Sequence, residues 1–171
     1  ITLGLLAYFY RTILGRITVK YYEYEVTTVV GTPGAMVEIV LAPLGEHMRY
    51  LPGQFIFISF RSTGLSSEKH PFSISTSPHQ EGGLSVLVKS LGDYTSKLVK
   101  GLEPHTRAIL EGPYGSFVYY RTFMHSNKRQ IWIAGGSGIA PFVGMARNLV
   151  YASTSINQQA SVEEYLDYRV D

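Results

Sequence analysis

The 171-residue sequence contains no cysteine. Disulfides, thiolate nucleophiles, Cys-ligated zinc and iron–sulfur clusters are therefore excluded within it. Charge is scarce as well: 16% of residues are charged, with 15 basic against 13 acidic side chains. The net charge of +2 supplies no basic stripe of the kind nucleic acid requires, so none is expected as a partner. The five histidines are dispersed, no pair has helical metal-ligand spacing, and no metal site is expected. Long apolar runs are missing too. The most apolar stretch, Ile1 to Ile13, is shorter than the about 20 residues that cross a bilayer. It lacks the methionine start and small-residue cleavage pattern of a signal peptide.

What is present is an apolar, aromatic chain, 45% hydrophobic, with 13 Tyr and 8 Phe against a single Trp. It can bury a sizeable core. At the start, Tyr8 and Tyr10 followed by Arg11, Arg16 and Lys20 fit the interfacial end of a transmembrane helix leaving on the cytoplasmic side. An amphipathic helix docked on the domain fits the same run. The abrupt apolar opening suggests a piece of something longer.

The stretch with the most chemistry is His70-Pro71-Phe72-Ser73-Ile74-Ser75. Pro71 fixes its own φ and keeps His70 extended. Phe72, Ile74 and Thr76 alternate with Ser73, Ser75 and Ser77, which is the period of a strand. The pattern predicts one apolar face and one row of hydroxyls, able to lay a ring against a flat ligand and hydrogen-bond its edge. Taken alone, it reads more simply as a strand with a polar outer face.

Around it lie further strands. Tyr22, Tyr24, Val26, Thr28 and Val30 form one alternating face up to the Gly31-Thr32-Pro33-Gly34 break. Met36 to Leu41, Gln54 to Arg61, Leu84 to Ser90 and Arg107 to Glu111 follow, separated by turn residues. Strands at this spacing argue for an antiparallel sandwich or barrel, and an antiparallel β-barrel is the expectation. One short helix interrupts them, opening at Gly92-Asp93-Tyr94-Thr95 with Asp93 as an acidic N-cap candidate. Its free N–H groups, with Lys89 and Thr95, make a candidate anion site. An ordinary connecting helix remains the simpler reading.

Near the end, Gln130 to Ala134 is a continuous apolar run, as expected for a strand covered on both faces. It leads into Gly135-Gly136-Ser137-Gly138-Ile139-Ala140-Pro141. Phe142, Met145, Ala146 and Leu149 then mark one face of a helix. Strand, glycine turn and helix open a nucleotide-binding α/β unit, with Pro141 where the usual fingerprint has its third glycine. Ala152 to Gln159 is small and polar, Ser161 to Leu166 reads as a short acidic helix, and no further parallel strand follows. A single unit cannot bury its own faces, so this lobe is expected to be incomplete.

In order, these motifs resemble the flavin dehydrogenase module of the NADPH oxidase and ferric reductase family, within the ferredoxin–NADP reductase superfamily. The carriers are Pro52-Gly53-Gln54-Phe55, His70 to Ser75, Lys89-x-x-Gly92-Asp93-Tyr94-Thr95-x-x-Leu98, Glu111-Gly112-Pro113-Tyr114-Gly115 and Ala134 to Pro141. The resemblance covers about Arg16 to Tyr151. It implies the end of a transmembrane or interfacial helix over residues 1–17, an FAD-binding barrel over 18–125 and an incomplete NAD(P)-binding lobe over 126–171.

By the same resemblance, Phe72 lies beside the isoalloxazine and Ser73 near its N5, making these the catalytic candidates. His70, Pro71 and Ser75 complete the flavin strand. His70 stands where soluble members carry arginine, which points to the membrane branch. Lys89, Gly92, Asp93, Tyr94 and Thr95 are implied for the FAD pyrophosphate, and Gly112 and Tyr114 for the lobe junction. Gly135, Gly136, Ser137, Gly138 and Pro141 are implied for NAD(P)H. The family further implies haem in upstream helices beyond this sequence, a membrane location with this module on the cytoplasmic side, and O2 or Fe3+ as acceptor. Two other readings compete. One is a soluble ferredoxin-reductase-type electron transferase, for which arginine is expected at position 70. The other is a non-enzymatic barrel binding another planar ligand.

Overall fold

The computed structural model describes residues 19–119 and 130–156. The opening helix, the boundary near residue 125 and the acidic segment Ser161 to Leu166 lie outside the described residues. Six strands come in the expected order: β1 (Tyr21–Thr32), β2 (Met36–Pro43), β3 (Phe55–Arg61), β4 (His70–Ser73), β5 (Leu84–Lys89) and β6 (Arg107–Tyr114). Helix α1 (Asp93–Gly101) separates β5 from β6. A single 3-10 turn (Gly136–Ile139) leads into helix α2 (Ala140–Ile156).

The strands form one antiparallel sheet in the order β4-β3-β6-β1-β2-β5. Its two edge strands meet again beyond Ser73. Ile74 bridges Val86 in antiparallel fashion, and the Ser75 N–H donates to the Ser85 carbonyl at 2.8 Å. The sheet therefore curls back on itself in a barrel-like way, and at this point its two edges shield each other. Inside lie Tyr24, Val26, Ile39, Leu41, Ile56, Ile58, Phe60, Ile74, Val86 and Leu110, all essentially without solvent contact. Leu98 of α1 closes one end of this core.

Three expectations change. The alternation along β1 does not run through to Val30. A bulge between Val26 and Thr28 inserts one residue, so Tyr24 and Val26 point inward before it while Val29 packs on the core after it. Val30 is left 49% exposed. A one-residue shift exchanges the faces of a strand, and a bulge is how a barrel bends.

The apolar run before the glycine turn forms no strand. Ile131 and Ile133 are 87% and 86% exposed, because no neighbouring strand stands beside them among the described residues. The third change concerns α2, which runs on to Ile156 and buries only part of the face its spacing suggests. Ala140, Gly144, Met145 and Asn148 face the barrel, whereas Ala146 and Leu149 face outward.

Gly53 shows how closely these parts fit. It has φ +103°, and a Cβ there would stand 1.9 Å from the Phe117 carbonyl oxygen. Only glycine supplies both the conformation and the space.

Candidate cofactor cleft

The barrel and the start of α2 leave an open cleft of about 220 Å³. Pro71, Phe72 and Ser73 of β4 form one wall, and Lys89 at the end of β5 forms another. Thr95 of α1 and Ser137 of the glycine turn complete it. Three motifs far apart in sequence thus converge on one space.

β4 places its residues as a strand must. Phe72 points inward, is only 9% exposed, and serves as core residue and cleft floor at once. Ser73 and Pro71 point toward the opening. The predicted row of hydroxyls ends there. Ser75 and Ser77 are buried, Ser75 completely, and turn away from the cleft toward β5 and α2. The strand leaves the sheet after Ser73 to make the closing bridge, so its later hydroxyls serve packing.

His70 lies on Tyr94 of α1, with ring centroids 3.6 Å apart and planes 25° from parallel. The two motifs that carry these residues are therefore in contact. The His70 Nε2 is 3.7 Å from the Glu68 carboxylate, too long for a hydrogen bond, and neither Nε2 nor the Tyr94 hydroxyl has a hydrogen-bond partner. Burial first, and then the Glu68 charge, pushes the Tyr94 phenol above its ordinary pKa. It remains a neutral donor at physiological pH.

The start of α1 differs in detail from expectation. Gly92 is the N-cap and Asp93 the first helical residue. The Thr95 hydroxyl accepts the backbone N–H groups of Leu91 and Gly92, both at 3.0 Å. That hydroxyl stiffens the loop and is already engaged. Lys89 is the cation of the cleft, and a Cβ placed on Gly136 would lie 3.9 Å from its Nζ. The lysine thus stands between the β5–α1 connection and the glycine turn. Pro141 occupies the first turn of α2, where its missing N–H costs nothing. Gly135, which caps the turn, and Gly138 within it are both exposed, and the Gly138 N–H donates to the Gly135 carbonyl at 3.1 Å.

Gly112 and Tyr114 do not line this cleft. They end β6, where Tyr114 packs with Phe55 and Phe57 and donates to Glu111 at 2.7 Å. Lys69 pairs with the other Glu111 oxygen at 2.6 Å.

The sequence reading missed one group of residues. Arg147, Asn148, Glu38, Ser85 and Tyr50 form a polar network under α2. The available signal was a charged residue and an amide placed within an otherwise apolar helix.

Known proteins place this geometry. A family model described as an FAD-binding domain matches residues 21–118. The chain belongs to the FAD-binding family of the NADPH oxidases and ferric reductases. Ferric reduction oxidase 3, mitochondrial, of Arabidopsis thaliana is 34% identical over 63% of this chain and 15% of its own length. NADPH oxidase 3 of Rattus norvegicus is 29% identical over 88% of this chain and 27% of its own. Dual oxidase 2 of the same species is 25% identical over 77% of the chain and 9% of its own. The chain therefore spans roughly a quarter or less of these relatives.

Among solved structures, the Amycolatopsis cytochrome P450 reductase GcoB has a TM-score of 0.67 and 21% identity. That likeness covers 80% of this chain and 41% of the reductase. Ferredoxin-NADP+ reductase from Plasmodium falciparum has a TM-score of 0.63 and 23% identity, over 75% and 51% of the two chains. These likenesses establish the ferredoxin-reductase-like fold of the barrel.

Proposed function

We propose that this segment is the flavin-binding module of a membrane NAD(P)H oxidase or ferric reductase, which sends electrons from NAD(P)H through FAD and transmembrane haem to O2 or Fe3+. The observation that carries the reading is the convergence of Ser73, Lys89, Thr95 and Ser137 on one cleft. The residues fit FAD. A cation stands beside the backbone that opens α1, hydroxyls line the rim, and two orphaned polar atoms in the His70–Tyr94 pair lack protein partners. Bound there, FAD supplies hydride acceptance and the splitting of an electron pair, chemistry that no side chain of this segment provides.

The chain's own residues hold and orient. Ser73 offers its hydroxyl at the cleft wall, and Phe72 closes the floor against water. Lys89 neutralises phosphate charge. The Gly136–Ile139 turn admits a second phosphate-bearing nucleotide at close backbone range. His70, in place of a fixed guanidinium, supports the membrane branch of the family. The haem, the acceptor and the cytoplasmic placement belong to the full-length protein and stand as part of the proposal. No helix among the described residues is long and apolar enough to cross a membrane.

Two substitutions in the full-length protein test the reading. Ser73→Ala removes only a cleft hydroxyl, so the melting temperature should hold while flavin reduction by NAD(P)H slows by about tenfold or more. Gly138→Val should weaken NAD(P)H use and spare FAD, because a Cβ at Gly138 meets nothing within 4 Å of the protein itself. Wild-type protein that neither takes up FAD nor shows flavin reduction by NAD(P)H would sink the proposal.

A further inference from the structure

Three of the contacts that seat α2 on the barrel reach Ile74 to Ser77, directly after the cleft strand. Gly144 lies so close to this segment that a Cβ there would come within 2.9 Å of the Ile74 carbonyl oxygen. Asn148, 3% exposed, accepts from the Ser77 hydroxyl at 2.9 Å and donates to the Tyr119 hydroxyl at 3.0 Å. Arg147 makes the third contact. One of its guanidinium nitrogens donates to Glu38 Oε1 at 2.6 Å and to the Ser75 carbonyl at 2.9 Å, and the other reaches Glu38 Oε2 at 3.3 Å.

These bonds form a closed ring. Ser85 donates to Glu38 at 2.6 Å, so its only hydroxyl proton is used. The Ser75 hydroxyl then donates to Ser85 at 2.8 Å, and the Ser75 carbonyl returns the circuit to Arg147. Ser75 and Ser85 are buried, Glu38 and Arg147 half-buried, and the hydrogen bonds join all four into one network, an arrangement that stiffens a structure.

We propose that Arg147 is a positioning residue for hydride transfer, fixing the glycine-rich turn at a set distance from the flavin strand. The inference rests on the cofactor reading above. Arg147 lies seven residues beyond Ala140, about 10 Å along the helix, and α2 is continuous with the turn. Ser75 lies two residues beyond Ser73. A guanidinium fork that grips residue 75 and Glu38 together therefore sets the helix, and through it the turn, against the cleft wall. A lysine in this place is a point charge and cannot hold a carboxylate and a carbonyl with the same fixed geometry.

The test uses the full-length protein with Arg147→Met, Arg147→Lys and Glu38→Gln. Arg147→Met should lower the saturating rate of flavin reduction about tenfold, within the roughly hundredfold that a 1 Å misplacement can cost. FAD affinity should stay within about twofold. Arg147→Lys should fall between, and Glu38→Gln should move the rate in the same direction. A second measurement needs no cofactor: amide hydrogen exchange across residues 135–140 of the apoprotein should speed up in Arg147→Met. Glu38→Gln keeps the side-chain shape and decides the matter if Arg147→Met does not fold.

A wild-type rate with wild-type exchange in the folded variants overturns the proposal, as does a loss of rate that only tracks loss of FAD. If wild-type protein is not reduced by NAD(P)H, the functional reading fails, and the exchange measurement still decides whether Arg147 fixes the turn.

Discussion

Tyr114 ends β6 with its hydroxyl donating to Glu111, whose other oxygen holds Lys69. Burial first, and then the neighbouring carboxylate, pushes the Tyr114 phenol up to about 12. Burial raises Tyr24 and Tyr94 in the same direction. A phenol whose folded value is raised keeps its proton when the unfolded chain has already lost it. Stability from these groups is therefore full below the ordinary value of 10 and falls as pH rises from there toward 12. Thermal unfolding followed across this alkaline window should show the fall, and Tyr114→Phe should make it shallower. An unchanged slope in Tyr114→Phe would show that the loss arises elsewhere.

At the same scale, Phe72 carries two duties that its sequence motif does not separate. The motif marks it as a ring for a flat ligand, and the structure buries it in the core. Phe72→Ala should accordingly cost about 3–5 kcal/mol of stability, whatever it does to flavin. Ser73 is the cleaner probe of the cleft.

Elements were legible in the sequence where one periodicity governed them. β2 alternates along its length, β3 and β5 read as more fully buried runs, and the bounds of all three come close to expectation. The bulge in β1 has no such signature: Thr27 is as ordinary a strand residue as its neighbours, and only the curvature of the closed sheet demands it. For α2, apolar spacing points to Phe142, Met145, Ala146 and Leu149; Met145 is buried as expected, while Gly144, Arg147 and Asn148 take the place of Ala146 and Leu149. Close backbone approach and hydrogen bonding turn the helix beside Met145, because the surface it meets there is lined by Ser75, Ser77 and Glu38.

The Arg147 hydrogen bond holds the Glu38 carboxyl below its ordinary value, against the opposing effect of burial. A depressed carboxyl stabilises above the unfolded value of 4.5, and that contribution is lost as pH falls below it. Acid unfolding of the wild type should be steeper through this range than that of Glu38→Gln. Equal acid profiles would mean that the pair adds nothing to stability.

For the whole molecule, the barrel was readable from strand spacing and turn residues, while the second lobe was readable only as a beginning. Sequence shows that Gln130 to Ala134 suits a covered strand. It cannot supply the strands that would cover it, and Ile131 and Ile133 stand almost fully exposed. Ile131→Ser combined with Ile133→Ser should leave the unfolding free energy of this segment within about 0.5 kcal/mol per site. A larger loss would place these side chains against the barrel.

The bridge between Ile74 and Val86 has a thermodynamic consequence. The last stitch that closes the barrel and the footing of α2 are the same few residues. Opening the seam at Ile74–Ser77 removes the floor under the helix, and lifting the helix strips partners from the seam. Amides of the seam and of α2 should therefore exchange as one cooperative unit, with matching opening free energies, above the rate set by global unfolding. A cleft wall and a glycine-rich turn joined in this way loosen together, so ordering either one with a ligand lowers the entropic cost of ordering the other.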